Sequence, residues 1–214
     1  MHVLPSLLRP YAMLLLLALA STAWAAEDPS RVGFVNKVEN EAEVVTGQAA
    51  ATALVGTAVH MKDELRTGAD GRLQVTFRDN TVLTLGENAS VVIDSYIYDP
   101  DQSLGETVLQ ATKGAFRFAT GRIKELREKK IAISTPLANI GARGTEFWGG
   151  PLGEKYGVLL LQGEVSVSNQ AGSVTLAAPG QGTDIIISPQ EAPGPASAWS
   201  AEKIGRAFDT VALH

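Results

Sequence analysis

Strict alternation of apolar and polar residues is the feature that most constrains the fold of this chain. In residues 72–77, Leu73, Val75 and Phe77 are separated by polar side chains, a pattern typical of a strand with one buried face. An aspartate–asparagine pair follows and predicts a tight turn. Comparable strands are predicted at residues 32–38, 42–46, 58–65, 81–85, 90–98, 106–111, 115–120, 131–134, 145–148, 156–162, 164–168, 174–177 and 183–187. The sequence therefore predicts an all-β fold, either a two-layer twisted β-sandwich or a flattened solenoid-like β-roll.

Residues 1–25 are predicted to be a signal peptide. Arg9 supplies the positive charge, residues 11–20 are apolar, and an Ala-Trp-Ala sequence ending at Ala25 presents small residues where a signal peptidase reads them. The apolar stretch is about half of the ~20 residues that span a bilayer, so we expect no stable membrane insertion after cleavage. An uncleaved membrane anchor is the alternative. The expected destination is the periplasm.

The composition after cleavage suits one exported domain, expected at residues 26–187. Removing Arg9 from the 18 basic residues of the full chain leaves 17 against 23 acidic ones, which disfavours binding to nucleic acid or anionic lipid. There is no cysteine, so no disulfide contributes to stability despite the oxidising compartment. We therefore expect a well-packed hydrophobic core.

The end of the chain has a different composition. Residues 188–198 are rich in proline, alanine and serine and predict a linker. Residues 199–214 predict a short helical tail that Ser200 caps. This helix either packs back onto the sheet or docks on another protein. In the second case its candidate partner-binding residues are Ile204, Phe208 and Val211.

A glycine-flanked arginine lies within residues 135–147. Pro136 fixes φ and removes a backbone donor, so a ladder of hydrogen bonds must pause there. Gly141 and Gly144 bracket Arg143, whose five donors could bond nearby carbonyls or carboxylates. The pattern predicts a structural bend between two strands, tethered by the guanidinium.

Residues able to carry catalysis are scarce. His60 is the one internal histidine after the signal peptide, and it lies in a predicted strand without a cysteine or a nucleophile motif to assist it. Two aspartate groups could offer oxygen ligands to calcium, but turn formation explains their positions. These groups are Asp99 and Asp101 with Gln102, and Asp70 with Asp79. The sequence therefore predicts no enzyme activity, no metal and no cofactor.

Four aromatic residues offer an alternative function. Exposed rings can stack on sugars, whereas rings at the edge of a sheet can also cover the core. The residues concerned are Tyr96, Tyr98, Trp148 and Tyr156. A glycan- or small-ligand-binding module therefore stays open.

Four stretches together resemble the FecR-type periplasmic domain family. They are the run from Asp63 to Gly86, the sequence Ile93-Asp94-x-Tyr96, the sequence Lys113-Gly114-Ala-Phe-Arg-Phe, and residues 135–147. The resemblance implies an all-β periplasmic domain without enzymatic activity. Named FecR proteins relay a signal from an outer-membrane iron–siderophore transporter to a cytoplasmic sigma factor.

The resemblance also implies structural roles for particular residues. One turn would be shaped by Asp63, Thr67 and Gly68, and another by Arg143, Gly144 and Thr145. No sigma-binding region precedes the apolar segment, and the tail is not the transporter-contacting module, so sigma-factor control is not carried over. We expect an exported, non-catalytic domain that binds an envelope protein as an adaptor or sensor.

Overall fold

The all-β prediction is confirmed, including the short C-terminal helix. A computed structural model describes residues 28, 30–186 and 190–214 of the protein; the predicted signal peptide lies outside them. This part of the chain contains sixteen strands, one 3₁₀ helix and one α-helix. Among the same residues, no helix is long and apolar enough to cross a bilayer.

The elements follow one another with short connections. The strands are β1 Arg31–Glu39, β2 Ala42–Thr46, β3 Ala49–Thr52, β4 Ala58–His60, β5 Glu64–Thr67, β6 Arg72–Phe77, β7 Val82–Leu85, β8 Ser90–Asp99, β9 Leu104–Lys113, β10 Phe116–Ala119, β11 Glu128–Ser134, β12 Asn139–Leu152, β13 Lys155–Asn169, β14 Gly172–Leu176, β15 Gln181–Ile186 and β16 Ser197–Ala198. The 3₁₀ helix Arg122–Glu125 lies between β10 and β11, and α1 spans Ala201–Asp209.

All sixteen strands join one sheet that curls into a half-barrel. Twelve of them lie in the order β3-β2-β5-β8-β9-β11-β12-β10-β7-β6-β1-β4. The long strand β13 extends the sheet from β12 to β14 and β15, and β16 pairs with β15. Hairpin partners such as β6 and β7 are antiparallel, whereas β9 and β11 are parallel.

The alternating side chains fill the concave side of this sheet. Leu73, Val75 and Phe77 of β6 are fully buried, as their spacing predicts. Rings from β10 and β12 extend the core, since Phe116 and Phe118 both contact Phe147. Burial of these apolar faces is the main source of stability in a chain without disulfides.

A bulge in β8 changes which side chains face the core. The register of β8 against β9 shifts between Ile93 and Ser95, so Ile93 and Tyr96 are both buried although they are three residues apart. Tyr96 stacks on Phe77 at 5.3 Å between ring centroids. A bulge adds one residue to a strand and inverts the alternation beyond it.

The predicted strand at residues 58–65 is two strands, β4 and β5. Asp63 is fully buried between them, and its carboxylate accepts hydrogen bonds from the His60 backbone N–H at 2.8 Å and from Thr46 Oγ1 at 2.6 Å. An aspartate that bonds its own backbone in this way makes a turn. The sequence also missed β3, because alanine has low strand propensity.

The Arg143 tether predicted from the sequence is wrong. β12 is continuous from Asn139 to Leu152 and bends where its register against β13 shifts, between Arg143 and Glu146. Arg143 is exposed, and its guanidinium has no hydrogen bond or ion pair within the residues that the structure describes. Gly144, with φ of +59°, adopts the left-handed conformation at the bend. The bulge, not a charged cross-link, makes the corner.

The C-terminal helix packs back onto the sheet. Ala207 and Val211 are buried in a second apolar cluster with Trp148 and Trp199, and Ile204 packs against it. The Trp148 indole N–H donates to Thr210 Oγ1 at 3.0 Å. Two of the three residues considered for partner binding, Ile204 and Val211, are thus occupied within the protein. The third, Phe208, lies beneath the Arg117 guanidinium. The structure therefore corrects the docking role, because the apolar face of the helix is already covered.

Residues 190–198, within the segment predicted as a linker, lie along the sheet. Thr183 Oγ1 donates to the Gly194 carbonyl at 2.7 Å, and the Gly194 N–H donates to the Asp184 carbonyl at 3.0 Å. Two further residues form β16 on the edge of β15. These bonds lead the chain to the position where α1 begins.

Candidate binding groove

A groove crosses one end of the half-barrel, where several turns meet. Four adjoining hollows of about 260, 270, 280 and 160 Å³ share lining residues from one to the next. We call them together the end groove. Its central section is lined by Ala111, Thr112, Lys113, Gly114, Pro136, Leu137, Pro151 and Tyr156.

One wall of the end groove is the turn between β11 and β12. Thr135 Oγ1 donates to the Ala138 carbonyl at 2.9 Å and accepts from the Ala138 N–H at 3.0 Å. The Thr135 N–H also donates to the Ala138 carbonyl, at 2.9 Å. These bonds leave Pro136 and Leu137 at the apex of the turn, where they line the groove. A hydroxyl that bonds its own backbone makes such turns rigid.

The opposite wall is the turn between β9 and β10, at Lys113 and Gly114. Gly114 has φ of +76°, and a Cβ at this position would clash with the Cα and Cβ of Ala89. Both constraints require glycine, because the backbones of two turns meet here. These two constraints explain the glycine of the Lys113-Gly114 motif.

Thr67 and Gly68 support the adjacent turn at residues 86–89. Thr67 Oγ1 donates to the Gly86 carbonyl at 2.6 Å and accepts from the Ala89 N–H at 2.8 Å. The Gly68 carbonyl accepts from the Asn88 N–H at 2.9 Å. Glu87 and Asn88 then line the end section of the groove. Thr67 and Gly68 therefore position a groove wall, whereas Asp63 lies at the other end of β5.

Tyr156 gives the groove a polar atom without a partner. Its ring lines the central section, and its hydroxyl is buried with no hydrogen bond among the described residues. Burial raises the pKa of this hydroxyl above its ordinary value, so it stays protonated at neutral pH. Leaving a buried hydroxyl unpaired costs free energy, about 1–3 kcal/mol.

The lining residues suit binding better than catalysis. Prolines, a leucine and an aromatic ring line the central section together with Lys113, and the charged residues Glu87 and Asp94 line the adjoining hollows. In the described ranges, no three histidine, aspartate or glutamate residues form a group able to hold a metal. His60 lies elsewhere, between Asp28 at 3.1 Å and Asp63 at 3.4 Å.

Two of the four candidate aromatic residues are inside the protein. Trp148 is fully buried and bonded to Thr210, and Tyr96 is buried with its hydroxyl donating to Asp79 Oδ1 at 3.0 Å. Tyr98 is half-buried against the core, and Tyr156 lies in the end groove. The four rings therefore do not form one sugar-stacking platform.

Asp79 is an important residue whose role the sequence did not reveal. It is fully buried, and its carboxylate accepts from Thr81 Oγ1 at 2.6 Å and from the Ile123 N–H at 3.2 Å, in addition to Tyr96. Asp70, its proposed calcium partner, is exposed. With its acceptor positions used within the fold, Asp79 is structural and joins the β6–β7 turn to β8 and the 3₁₀ helix.

Thr145 and Gly144 lie away from the groove, at the bend of β12. The Thr145 carbonyl accepts from Thr120 Oγ1 at 2.7 Å and from the Thr120 N–H at 2.9 Å. The nearest atom to a Cβ on Gly144 would be Cβ of Lys124, at 3.7 Å. This part of the motif closes the sheet between β10 and β12.

Comparison with known proteins supports the resemblance. Residues 63–166 match the family model described as FecR protein. The chain is also similar to two crystal structures of a proposed anti-sigma factor from Parabacteroides distasonis ATCC 8503, with TM-scores of 0.51 and 0.52 and identities of 19% and 18%. Each alignment covers 66% of this chain and 62% of the other, so this chain matches less than two thirds of their length.

No curated protein matches the sequence. At under 25% identity, the two crystal structures show a shared fold and no more. The family match covers the β5 to β13 region, which contains the motif residues of the three turns that wall the end groove. The chain therefore contains a FecR domain, at residues 63–166.

Proposed function

We propose that this protein is an exported, non-catalytic adaptor or sensor in cell-envelope signalling, and that the end groove binds an extended segment of a protein partner. The observation that carries the proposal is the groove itself, which consists of several adjoining hollows that share lining residues instead of one deep pocket. Adjoining shallow, largely apolar hollows fit an extended chain better than a compact metabolite.

The comparisons support a regulatory role. FecR proteins act in signalling, and the proposed anti-sigma factor with a similar fold is a regulator by its name. Both classes work by binding other proteins, which agrees with the absence of a metal-binding group of histidine, cysteine, aspartate or glutamate among the described residues. Export rests on the predicted signal peptide and on the periplasmic location of FecR domains.

The chemistry of the groove defines the segment that would bind. Pro136, Leu137, Pro151 and the Tyr156 ring offer apolar contacts. Lys113, in the central section, favours a carboxylate on the bound segment. The expected occupant is a short extended segment with apolar side chains and an acidic residue.

Photocrosslinking in living cells tests this function. A photoreactive phenylalanine at Leu137 should crosslink to an envelope protein, and adding Lys113→Glu should reduce the yield at least several-fold. The control site is Ile97, a large exposed side chain on β8 outside the groove. Equal crosslinking from both sites, or recovery of the protein in the cytoplasmic fraction with residues 1–25 retained, would contradict the proposal.

A further inference from the structure

An uncharged hairpin stands at one end of the sheet. Residues 44–59 contain neither a charged side chain nor a proline. They include β3, which is the last strand on its side of the sheet. β3 pairs with β2, with Ala49 opposite Thr46 at one end and Thr52 opposite Glu43 at the other. All four residues of β3 are exposed on both faces. β3 therefore contributes no side chain to the core.

This edge lacks most of the protection that exposed strands normally carry. A terminal strand presents unpaired N–H and C=O groups, and proteins usually guard such groups by keeping the strand short or with charges, prolines or a covering element. The Ala49–Thr52 strand is short, with four residues, but has none of the other devices among the described residues. Alanine also has low strand propensity, so the folding of this chain alone does not account for three alanines here.

Exposed apolar side chains follow β3 in the chain. Leu54 and Val55, after Ala53, are 64% and 68% exposed, the highest values among the large hydrophobic residues in the described ranges. They add apolar area next to the strand edge, as interaction surfaces do.

We propose that this surface binds a second copy of the chain, with two β3 strands pairing antiparallel across a two-fold axis. A two-fold axis sets each residue near its own copy, so a charged residue near the axis would face a like charge. The chain carries a net charge of −5, so two copies repel each other. Because residues 44–59 carry no charge, two copies can meet there without carboxylates facing each other. The unpaired backbone groups need a strand as their partner.

The geometry fixes the register. The Ala53 N–H donates to the Ala42 carbonyl beside β2, so by alternation Ala51 and Ala49 also bond towards β2, and Ala50 and Thr52 carry the free backbone groups of the edge. Antiparallel pairing of these groups places the axis at Ala51, so that Ala51 faces Ala51 of the other copy and Ala50 faces Thr52. Their small side chains allow close approach, and Leu54 and Val55 add apolar area beside the ladder. The short strand limits the area, so we expect weak association, with a Kd between about 1 μM and 1 mM.

Sedimentation velocity of the exported protein over a range of concentrations tests the proposal. The wild type should shift from monomer to dimer as concentration rises. Ala51→Lys and Ala51→Asp should each weaken dimerisation at least tenfold, because each variant places like charges opposite each other across the axis. An equimolar mixture of the two variants should restore dimerisation, because lysine then faces aspartate. Circular dichroism checks that both variants keep the strand signal.

The matched control is Ile97→Asp, which adds a charge to another exposed hydrophobic site and should leave dimerisation unchanged. A wild type that stays monomeric up to about 1 mM would overturn the proposal. So would a dimer that persists in both alanine variants, since its interface would then lie elsewhere. The end groove lies apart from β3, so crosslinking from Leu137 is independent of either result.

Discussion

At the scale of single residues, buried hydrogen-bond acceptors matter more than exposed charges. Asp79 accepts from four donors inside the fold, the Thr81 N–H and hydroxyl, the Tyr96 hydroxyl and the Ile123 N–H. Arg143, in the glycine-flanked segment, has no such partner among the described residues. Both residues belong to stretches that resemble the FecR family, so sequence resemblance alone did not separate their roles.

Asp79→Ala should strongly destabilise the protein. The substitution leaves buried donors without an acceptor, each at a cost of about 1–3 kcal/mol, so we expect a loss of at least about 3 kcal/mol in the free energy of unfolding. Urea denaturation measures it. The control is Asp101→Ala in an exposed turn, which should change the free energy by less than about 0.5 kcal/mol. Equal effects would contradict the role given to Asp79.

Arg143→Ala should have almost no effect on stability. The side chain is exposed and unpaired in the described structure, so we expect a change within about 0.5 kcal/mol. Gly144→Ala, one residue later, should cost about 1–2 kcal/mol because its φ of +59° disfavours a Cβ. A loss of 2 kcal/mol or more on removing Arg143, measured by urea denaturation, would restore the tether inferred from sequence.

At the scale of elements, the C-terminal helix is part of the folded core. Trp199 packs edge-on against Trp148 at 6.2 Å between ring centroids, and Lys203 Nζ lies 3.9 Å above the Trp199 ring. Lys203 also bonds Asp184 at 2.6 Å. The Ser200 hydroxyl caps the helix by accepting from the Lys203 N–H at 3.2 Å. Sheet and helix are thus joined by apolar contacts and by charge.

Trp199→Ala should therefore destabilise the whole protein and not only its tail. Removing a large buried ring leaves a cavity, and we expect a loss of about 3–5 kcal/mol in a single unfolding transition. Glu202→Ala, on the exposed side of the same helix, is the control and should be nearly neutral. An unchanged thermal midpoint for Trp199→Ala would show that the helix is only loosely attached.

Local patterns predicted many elements because burial and alternation are properties of neighbouring residues. β6 shows this, with every second side chain in the core. The bulge in β8 was not readable from the sequence, because strict alternation puts Ile93 and Tyr96 on opposite faces, whereas both side chains face the core. Capping by Ser200 was local and was predicted correctly, whereas the choice between packing and docking depended on Trp148, far away in the chain.

At the scale of the whole molecule, the end groove results from the curl of the sheet. It brings together residues from Glu87 to Thr210, and no sequence pattern links positions so far apart. The parallel pairing of β9 with β11 was equally unpredictable from the sequence. The two strands are separated in the chain by β10 and the 3₁₀ helix, and no hairpin signal links them. Among the residues named from the sequence, the groove is lined by Asp94, Lys113, Gly114, Pro136 and Tyr156.

The most direct test of the binding account is where a peptide contacts the protein in solution. Peptides selected from a random library against the purified protein should be extended and apolar with an acidic residue. In NMR titrations they should shift the amide signals of Lys113, Gly114, Leu137 and Tyr156, and Leu137→Asp should weaken binding at least tenfold. Shifts confined to other surfaces, or binding that Leu137→Asp leaves intact, would contradict the account.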